Sequence, residues 1–407
     1  MGDLGGQGIM SIHVKLNSID DSDKYLYRAR NIKIKPSTST TIETPIRAVT
    51  NTEMNAKASI PAELPIFADV GVVEIKLTTG KRRNIVSFLR KNSSYNSVRD
   101  TAYYNLQRMA YFPLNLVLIQ PSSSAISDLH KAGKVSSFLR MAIDLQLRDL
   151  GLNIVTIPWL NLPPDEFIKI WKLYRDALPD NIEVVPTLKL LEADSLEEYL
   201  HALSQYIDQV KFVIIPYRKI ETNKPSYNTL WTYLHDKDIA TILVDVKRDE
   251  ASNIVPRASS FHYAEFIMGD ITALEIPMGG GGKKPDDKKK RIENPPVETK
   301  LKFFDKDKLT VETLSNLIHE KSDWAEDILT TLNKEPFVRD ALENYYEAQT
   351  EPKKLNILKA ISKVHEFIES RQEFKISQKY IKQTDSIDYI KEKEALRKIF
   401  LGQRTLF

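Results

Sequence analysis

The strongest constraint on the fold is a pattern that repeats between residues 67 and 277. Short apolar runs of strand length alternate there with longer amphipathic stretches, each long enough for one helix. Several runs are apolar at nearly every position, which is typical of strands buried on both faces in a parallel sheet covered by helices. The runs are Val70–Lys76, Leu116–Gln120, Asn153–Pro158, Ile182–Thr187, Lys211–Pro216, Thr241–Val246 and Glu265–Gly269.

These runs predict an α/β protein built as a (β/α)8 TIM-like barrel over residues 11–278, with Ile271–Pro277 as a candidate eighth strand. Residues 11–50 alternate polar and apolar side chains at period two. This pattern predicts an N-terminal β-hairpin region that plugs or covers one end of the barrel.

The composition changes after the barrel. Residues 279–299 begin with Gly279–Gly282 and continue with lysine, aspartate and proline, which predicts a flexible charged linker. Over residues 300–402, apolar side chains recur at three- and four-residue spacing, which predicts an α-helical domain without strands. Residues 403–407 are expected to form a tail that follows this domain.

The composition also excludes several kinds of chemistry. The chain has no cysteine, so disulfides, thiolate zinc sites and a cysteine nucleophile are excluded, and a cytoplasmic location is expected. No apolar stretch reaches the roughly 18 residues that a membrane span needs, so no membrane contact is expected. The seven histidines are scattered, and no phosphate-loop or nucleophile-elbow motif occurs, so we expect neither a metal nor a cofactor.

Polar residues stand where the predicted strands end, and in barrels of this type the chemistry sits at those carboxyl ends. Asp245 is the best candidate nucleophile or base, because it interrupts an apolar strand near its exit and an ionised carboxylate there needs a partner such as Lys247 or Arg218. The alternative is a structural ion pair that closes the barrel mouth. The full set is Gln120, Trp159, Thr187, Tyr217, Arg218, Asp245, Lys247, Arg248 and Asp270.

Two other charged patterns lie before the second predicted strand, one within the first predicted strand and one after it. Glu74 and Lys76, with Asp69 nearby, are read as a solvated strand edge rather than as part of a metal-dependent nuclease site. The basic stretch that follows has Tyr95, Tyr103 and Tyr104 close by, and arginines with aromatic residues can bind nucleic acid. The alternative is a solvated helix face whose aromatic residues lie in the core. The basic residues are Arg82, Arg83, Arg90, Lys91 and Arg99.

Near the N-terminus, Ala29-Arg30, Ile32–Ile34 and Thr44-Pro45 stand before the first predicted barrel strand. This opening resembles that of the tRNA-guanine transglycosylase family. The resemblance covers roughly the first 280 residues and implies a barrel that exchanges a guanine base in nucleic acid through an aspartate nucleophile. The chain lacks the family's glycine-rich base-binding loops and its cysteine–histidine zinc site. No motif therefore places the catalytic aspartate, and Asp245 is chosen by its position at a strand end.

These observations leave two functional hypotheses. The first is a protein of DNA or RNA metabolism whose transglycosylase-like barrel acts on nucleic-acid bases; as an enzyme it would be a base-exchange glycosyltransferase. The second is a non-catalytic scaffold or interaction protein built on a diverged barrel. A barrel mouth filled with apolar side chains would favour the scaffold, whereas an open mouth with convergent carboxylates would favour the enzyme.

The last residues suggest a partner. Gln403, Leu406 and Phe407 have the spacing of a glutamine, a leucine and an aromatic residue in a short peptide. This arrangement resembles the peptides that replication and repair proteins insert into ring-shaped DNA sliding clamps. Gly402, a helix-stop residue, favours a tail that leaves the preceding helix. In the alternative reading, Leu406 and Phe407 fold back onto the domain.

We expect removal of Gln403–Phe407 to abolish binding to the cognate sliding clamp, because the apolar anchor pair and the glutamine are lost together. The measurement is a titration of the clamp with the intact chain and with the shortened chain. Equal binding by both forms, or binding by neither, would remove the clamp as a partner.

Overall fold

The computed structural model of the chain describes residues 11–36, 40–58, 68–80, 83–247, 260–275, 302–313 and 351–401. Strands and helices alternate through most of these residues. The strands are β1 (His13–Ser22), β2 (Tyr27–Lys35), β3 (Ile42–Glu43), β4 (Ile46–Arg47), β5 (Val49–Thr50), β6 (Val70–Leu77), β7 (Leu114–Pro121), β8 (Ile154–Ile157), β9 (Glu183–Pro186), β10 (Phe212–Pro216), β11 (Ala240–Val246), β12 (Ile271–Leu274), β13 (Lys302–Asp305) and β14 (Thr310–Thr313).

Helices follow most of the strands. Two segments have π-helical geometry, Leu145–Asp149 and Arg397–Leu401, and Ile207–Gln209 is a 3-10 turn. The α-helices are α1 (Asn51–Ala58), α2 (Ile85–Leu89), α3 (Ser93–Arg108), α4 (Ser123–Lys131), α5 (Val135–Asp144), α6 (Pro164–Ala177), α7 (Ala193–Ser204), α8 (Ile220–Leu234), α9 (Ser260–Ala264), α10 (Glu351–Gln383), α11 (Ser386–Glu392) and α12 (Glu394–Leu396).

The strands from β4 to β12 pair in parallel, which confirms a mixed α/β protein with parallel sheets. The sheets have the strand orders β10-β11-β12-β4, β5-β6-β7 and β8-β9. A parallel bridge between Thr187 and Ile214 links the end of β9 to β10. Between β4 and β5, the N–H group of Ala48 donates to the carbonyl of Thr272 at 2.8 Å, so both short strands belong to one extended segment.

Both faces of the parallel strands are buried, as their apolar composition predicts. Along β6, Val73 and Ile75 face an outer core between strands and helices. Val70 and Val72 face an inner core on the opposite side of the strands, to which every sheet of parallel strands contributes. Because successive side chains of a strand point to opposite faces, only nearly continuous apolar runs can supply both cores.

The N-terminal region is an antiparallel sheet of β1, β2 and β3, and its β-structure confirms the sequence-based prediction. Ile32, Ile34 and Ile42 add their side chains to the inner core. Arg30 is fully buried, and its guanidinium contacts the Asp270 carboxylate at 2.6 Å, just before β12. The sheet is therefore fixed to the amino-terminal end of the parallel strands.

One of the predicted barrel strands was wrong. Glu265–Gly269, predicted as a strand, follows α9 as a turn in which the Gly269 N–H donates to the Ala264 carbonyl at 2.7 Å. The strand in this part of the chain is β12, which lies within Ile271–Pro277, the candidate eighth strand. The segment of β4 and β5 lies within residues 11–50, which were predicted as β-hairpins, but its parallel pairing with β12 and β6 was not predicted.

The C-terminal part differs from the predicted α-helical domain over residues 300–402. Strands β13 and β14 form an antiparallel hairpin, where Phe303, Phe304 and Val311 are buried. Helix α10 adds Phe367 and Phe374 to the outer core that also packs the helices around the parallel strands. The described part of this C-terminal segment is therefore packed onto the α/β region rather than forming a separate body, while the predicted linker 279–299 lies outside the described residues.

None of the helices in the described part of the chain is both long and apolar enough to cross a membrane.

Candidate active site

A cavity of about 710 Å³ lies at the carboxyl ends of the parallel strands. It is lined by six of the residues that the sequence placed at strand ends: Gln120, Trp159, Tyr217, Arg218, Asp245 and Lys247. Its size is in the usual range of small-molecule sites, roughly 300–1,000 Å³. The lining combines carboxylates, cations and aromatic rings, and it is not filled by apolar side chains.

Asp245 reaches this cavity because β11 is irregular at its end. The backbone of Asp245 has a φ angle of 59°, in the left-handed region, and the pairing of β11 with β12 shifts register between Leu243 and Val246. Val244 still faces the inner core, whereas Val246 faces the outer core, so the regular alternation breaks at Asp245. Bulges of this kind turn a side chain in a new direction and are frequent beside active sites.

The carboxylate of Asp245 is held by a lysine from another strand. Lys76 on β6 places its Nζ atom 2.7 Å from Oδ1 of Asp245 and 3.4 Å from Oε1 of Glu74. Oδ2 of Asp245 has no hydrogen-bond partner among the described residues, and one fifth of the side chain is exposed. Lys76 therefore fixes the carboxylate through one oxygen, and no described residue contacts the other.

Glu74 and Lys76 are corrections to the sequence-based reading, which treated both as a solvated strand edge. Glu74 is only 1% exposed. Burial raises the pKa of its carboxyl to about 8, and the nearby charge of Asp245 adds to this rise while Lys76 opposes it. Burial alone would lower the pKa of Lys76, but Glu74 and Asp245 raise it overall. The raised pKa favours the protonated form of Glu74, and the shorter contact of Lys76 is the one to Asp245.

The partner expected for Asp245 was Lys247 or Arg218, and the structure gives Lys76 instead. Lys247 lies 3.9 Å from Glu275, a residue that sequence reasoning missed. The sequence did contain a signal for a charged pair at this strand. Glu74 and Lys76 stand two residues apart in an apolar strand, so their side chains share one face. Nothing in the sequence indicated that β6 and the end of β11 lie close together.

The aromatic part of the cavity is fixed by packing. The ring of Trp159 lies 4.9 Å from that of Tyr199 and 6.1 Å from that of Phe167, measured between ring centroids. The imidazole Nε2 of His130 lies 2.7 Å from the Leu160 carbonyl and holds the same loop. Trp159 is half-buried, so part of its ring faces the cavity.

Two predicted strand-end residues do not join the site. Asp270 precedes β12 at its amino-terminal end, where it accepts from the Thr241 N–H at 2.7 Å in addition to its contact with Arg30. Thr187 is buried and does not line the cavity. Arg248 lies outside the described residues.

The basic stretch lies apart from the cavity lining. Arg90 and Lys91 are exposed, and Arg99 contacts Asp100 at 3.0 Å. Arg83 is partly buried, which lowers the pKa of its guanidinium. Tyr95 is buried, as the alternative reading required, whereas Tyr103 and Tyr104 are about half exposed. Nucleic-acid binding by these residues stays a prediction, and Arg82 lies outside the described residues, as do Gln403, Leu406 and Phe407.

A buried acid–histidine pair was also missed, because its segment was predicted as a strand, on which side chains three residues apart point to opposite faces. His262 Nδ1 lies 2.9 Å from Oε1 of Glu265, and its Nε2 lies 3.3 Å from the Ser370 hydroxyl. Ser377 donates to Oε2 of Glu265. All four side chains are buried, so this network joins α9 to α10 and does not face the cavity. The described residues contain no group of three or more His, Asp or Glu side chains placed to hold a metal ion.

The raised pKa of Glu74 predicts how stability depends on pH. Between about pH 4.5 and 8 the folded chain keeps a proton that the unfolded chain has lost, so stability falls as pH rises through this range. We expect Glu74→Gln to flatten this fall, which is at most about 1.4 kcal/mol per pH unit from this group. Denaturant unfolding at pH 5 and pH 8 measures it, and the exposed Glu198→Gln is the control. An unchanged slope in Glu74→Gln would contradict the assignment.

Comparisons with known proteins leave the chain without a family. No protein-family model matches it. No curated protein matches it in sequence. Among solved structures, the GH26 β-mannanase BoMan26A from Bacteroides ovatus is 12% identical with a TM-score of 0.33, over 57% of this chain and 81% of that one. The N-acetylneuraminic acid synthetase from Leptospira borgpetersenii serovar Hardjo-bovis, in complex with citrate, is 10% identical with a TM-score of 0.29, over 64% and 78%. Likenesses at this level carry no argument about the fold or activity of this chain.

Proposed function

We propose that the parallel strands form a closed (β/α)8 barrel. The segment of β4 and β5 pairs with β12 on one side and with β6 on the other. With the seven strands β6 to β12, this segment makes eight strand positions. Between β7 and β8, the Thr156 hydroxyl donates to the Val117 carbonyl at 2.7 Å. The inner core is then the filled interior of the barrel, and the cavity is its mouth.

We infer that the protein is a base-exchange glycosyltransferase that acts on nucleic acid, with Asp245 as its nucleophile. The single observation that carries this inference is the strained backbone of Asp245, which turns a half-buried carboxylate into a polar cavity, with one oxygen that no described residue contacts. Strain at a non-glycine residue persists only where the surrounding structure maintains it. The resemblance of residues 28–49 to the transglycosylase opening is consistent with this chemistry.

The proposed reaction proceeds in two displacement steps. Oδ2 of Asp245 attacks the sugar carbon that bears the base, so a carbon–oxygen bond forms as the carbon–nitrogen bond breaks. The departing base takes the bonding electrons and then a proton. A second base attacks the same carbon, gives up a proton and releases the Asp245 carboxylate. Lys76 remains within contact distance of Oδ1 and stabilises the carboxylate each time its charge returns.

The scaffold hypothesis remains the second candidate, because the contact of Lys76 with Asp245 also suits an ion pair that closes the mouth. The cavity argues against a purely structural role. A structural ion pair does not require an open space beside it lined by Arg218, Lys189 and Glu275. If Asp245 is the nucleophile, its substitution lowers the rate of base exchange. If it forms a structural ion pair, its substitution lowers the stability of the fold.

Base exchange itself is the experiment that tests the proposal. The full chain is incubated with a labelled base and with either DNA or RNA, and label incorporated into the polymer is counted. Incorporation into either polymer supports the enzyme. If neither polymer gains label, and no base is released, the scaffold hypothesis is favoured. The sliding clamp, reached through Gln403, Leu406 and Phe407, and nucleic acid are the proposed partners.

A further inference from the structure

The charges that the described residues bring to the cavity do not cancel. Lys76 is matched by Asp245, and Lys247 lies beside Glu275. Lys189 and Arg218 also line the cavity, yet neither has an ion-pair partner among the described residues. Two cations of the described lining therefore remain for a ligand.

The two unpaired cations follow neighbouring strands whose ends are held together. The N–H of Leu188, next to Lys189, donates to the Ile214 carbonyl of β10 at 2.8 Å. The phenol of Tyr227 accepts from the Arg218 N–H at 3.2 Å and donates to the Arg218 carbonyl at 2.8 Å. Both backbones are thus fixed before any ligand arrives, which lowers the entropy cost of binding.

An aromatic face lies in the same cavity. Trp159, from the loop that follows β8, is half-buried and fixed against Tyr199. The strand order in this region is β8, β9 and β10, so the tryptophan, Lys189 and Arg218 follow three successive strands. A cation pair beside an aromatic face suits a ligand that joins an anionic group to a flat ring.

We propose that Lys189 and Arg218 form a phosphate subsite that takes the phosphate of a nucleotide unit, with its base against Trp159. This inference rests on the proposed function in so far as the ligand is a nucleotide, but it concerns binding alone and needs no chemistry at Asp245. Arg218 offers two parallel N–H donors to phosphate oxygens, and Lys189 offers a point charge.

The test is calorimetric titration of the full chain with nucleoside 5′-monophosphates, the matching nucleosides and inorganic phosphate. We expect the monophosphates to bind at least about tenfold more tightly than the nucleosides, since two charge-assisted contacts are added. Arg218→Gln and Lys189→Gln should each remove most of that preference. Lys219→Gln is the matched control, because Lys219 is an exposed cation adjacent to Arg218 that does not line the cavity.

Equal affinity for nucleosides and monophosphates in the wild type would overturn the inference, as would a preference that survives both substitutions. Asp245→Asn separates this inference from the proposed function. A variant that keeps the phosphate preference but loses base exchange supports both. A wild type that exchanges bases without any phosphate preference overturns the subsite and leaves the proposed function standing.

Discussion

Asp245→Asn is expected to lower the rate of base exchange by at least about 10³-fold, because an amide cannot form the proposed bond to the sugar carbon. Asparagine has nearly the same shape as aspartate and keeps an oxygen for Lys76, so the fold should survive. The measurement is the initial rate of labelled-base incorporation by the two proteins, at equal concentration, on whichever polymer the wild type uses.

The matched control is Asp236→Asn, the same substitution at an exposed aspartate that does not line the cavity. It should exchange bases at the wild-type rate. Thermal unfolding of both variants separates chemistry from stability. If Asp245→Asn exchanges bases at the wild-type rate, Asp245 is excluded as the nucleophile. A variant that loses exchange only in proportion to lost folded protein would instead favour the structural ion pair.

Removal of residues 351–407 is expected to unfold the chain or reduce it to a poorly packed state. Helix α10 and the segment that follows it place Phe367, Phe374, Ile381 and Tyr389 in the outer core. Each large buried side chain contributes about 1.5–3 kcal/mol, so four of them approach the whole stability of a typical domain, about 5–15 kcal/mol. Deletion also leaves the buried Arg47 without its contact to Glu366.

Circular dichroism and denaturant unfolding of the shortened chain measure this effect. Two single substitutions in α10 serve as a matched pair within the intact chain. Phe374→Ala, at a buried position, should cost about 3–5 kcal/mol, whereas Ile376→Ala, at a position that is 40% exposed, should cost far less. A shortened chain that unfolds cooperatively at the wild-type denaturant concentration would show that the C-terminal segment is a separate body.

Sequence patterns predicted the strands that have strong apolar runs, because burial on both faces leaves an unmistakable composition. They assigned the segment of β4 and β5 to the N-terminal β-hairpin region and did not predict its parallel pairing. In this segment Arg47 occupies an outward position and is matched by Glu53 at 2.5 Å. They also placed a strand at Glu265–Gly269, since an apolar run of this length suits a strand and a buried turn equally well.

The site was predictable in its position but not in its contacts. Six of the polar residues that were predicted to lie at strand ends line one cavity, because parallel strands end on the same side. The same rule misplaced Asp270, which stands before its strand rather than after it. The partner of Asp245 could not be predicted, since the contact with Lys76 depends on the left-handed backbone of Asp245 and on strands that are far apart in sequence.

The most direct test of the account is a search for a covalent bond between Asp245 and the sugar. The full chain is mixed with its nucleic-acid substrate in the absence of a replacement base, quenched in acid, digested and examined by mass spectrometry. We expect a sugar adduct on the peptide that contains Asp245, and no adduct in Asp245→Asn. Base exchange by the wild type with the adduct on a different residue, or an adduct in Asp245→Asn, would contradict it.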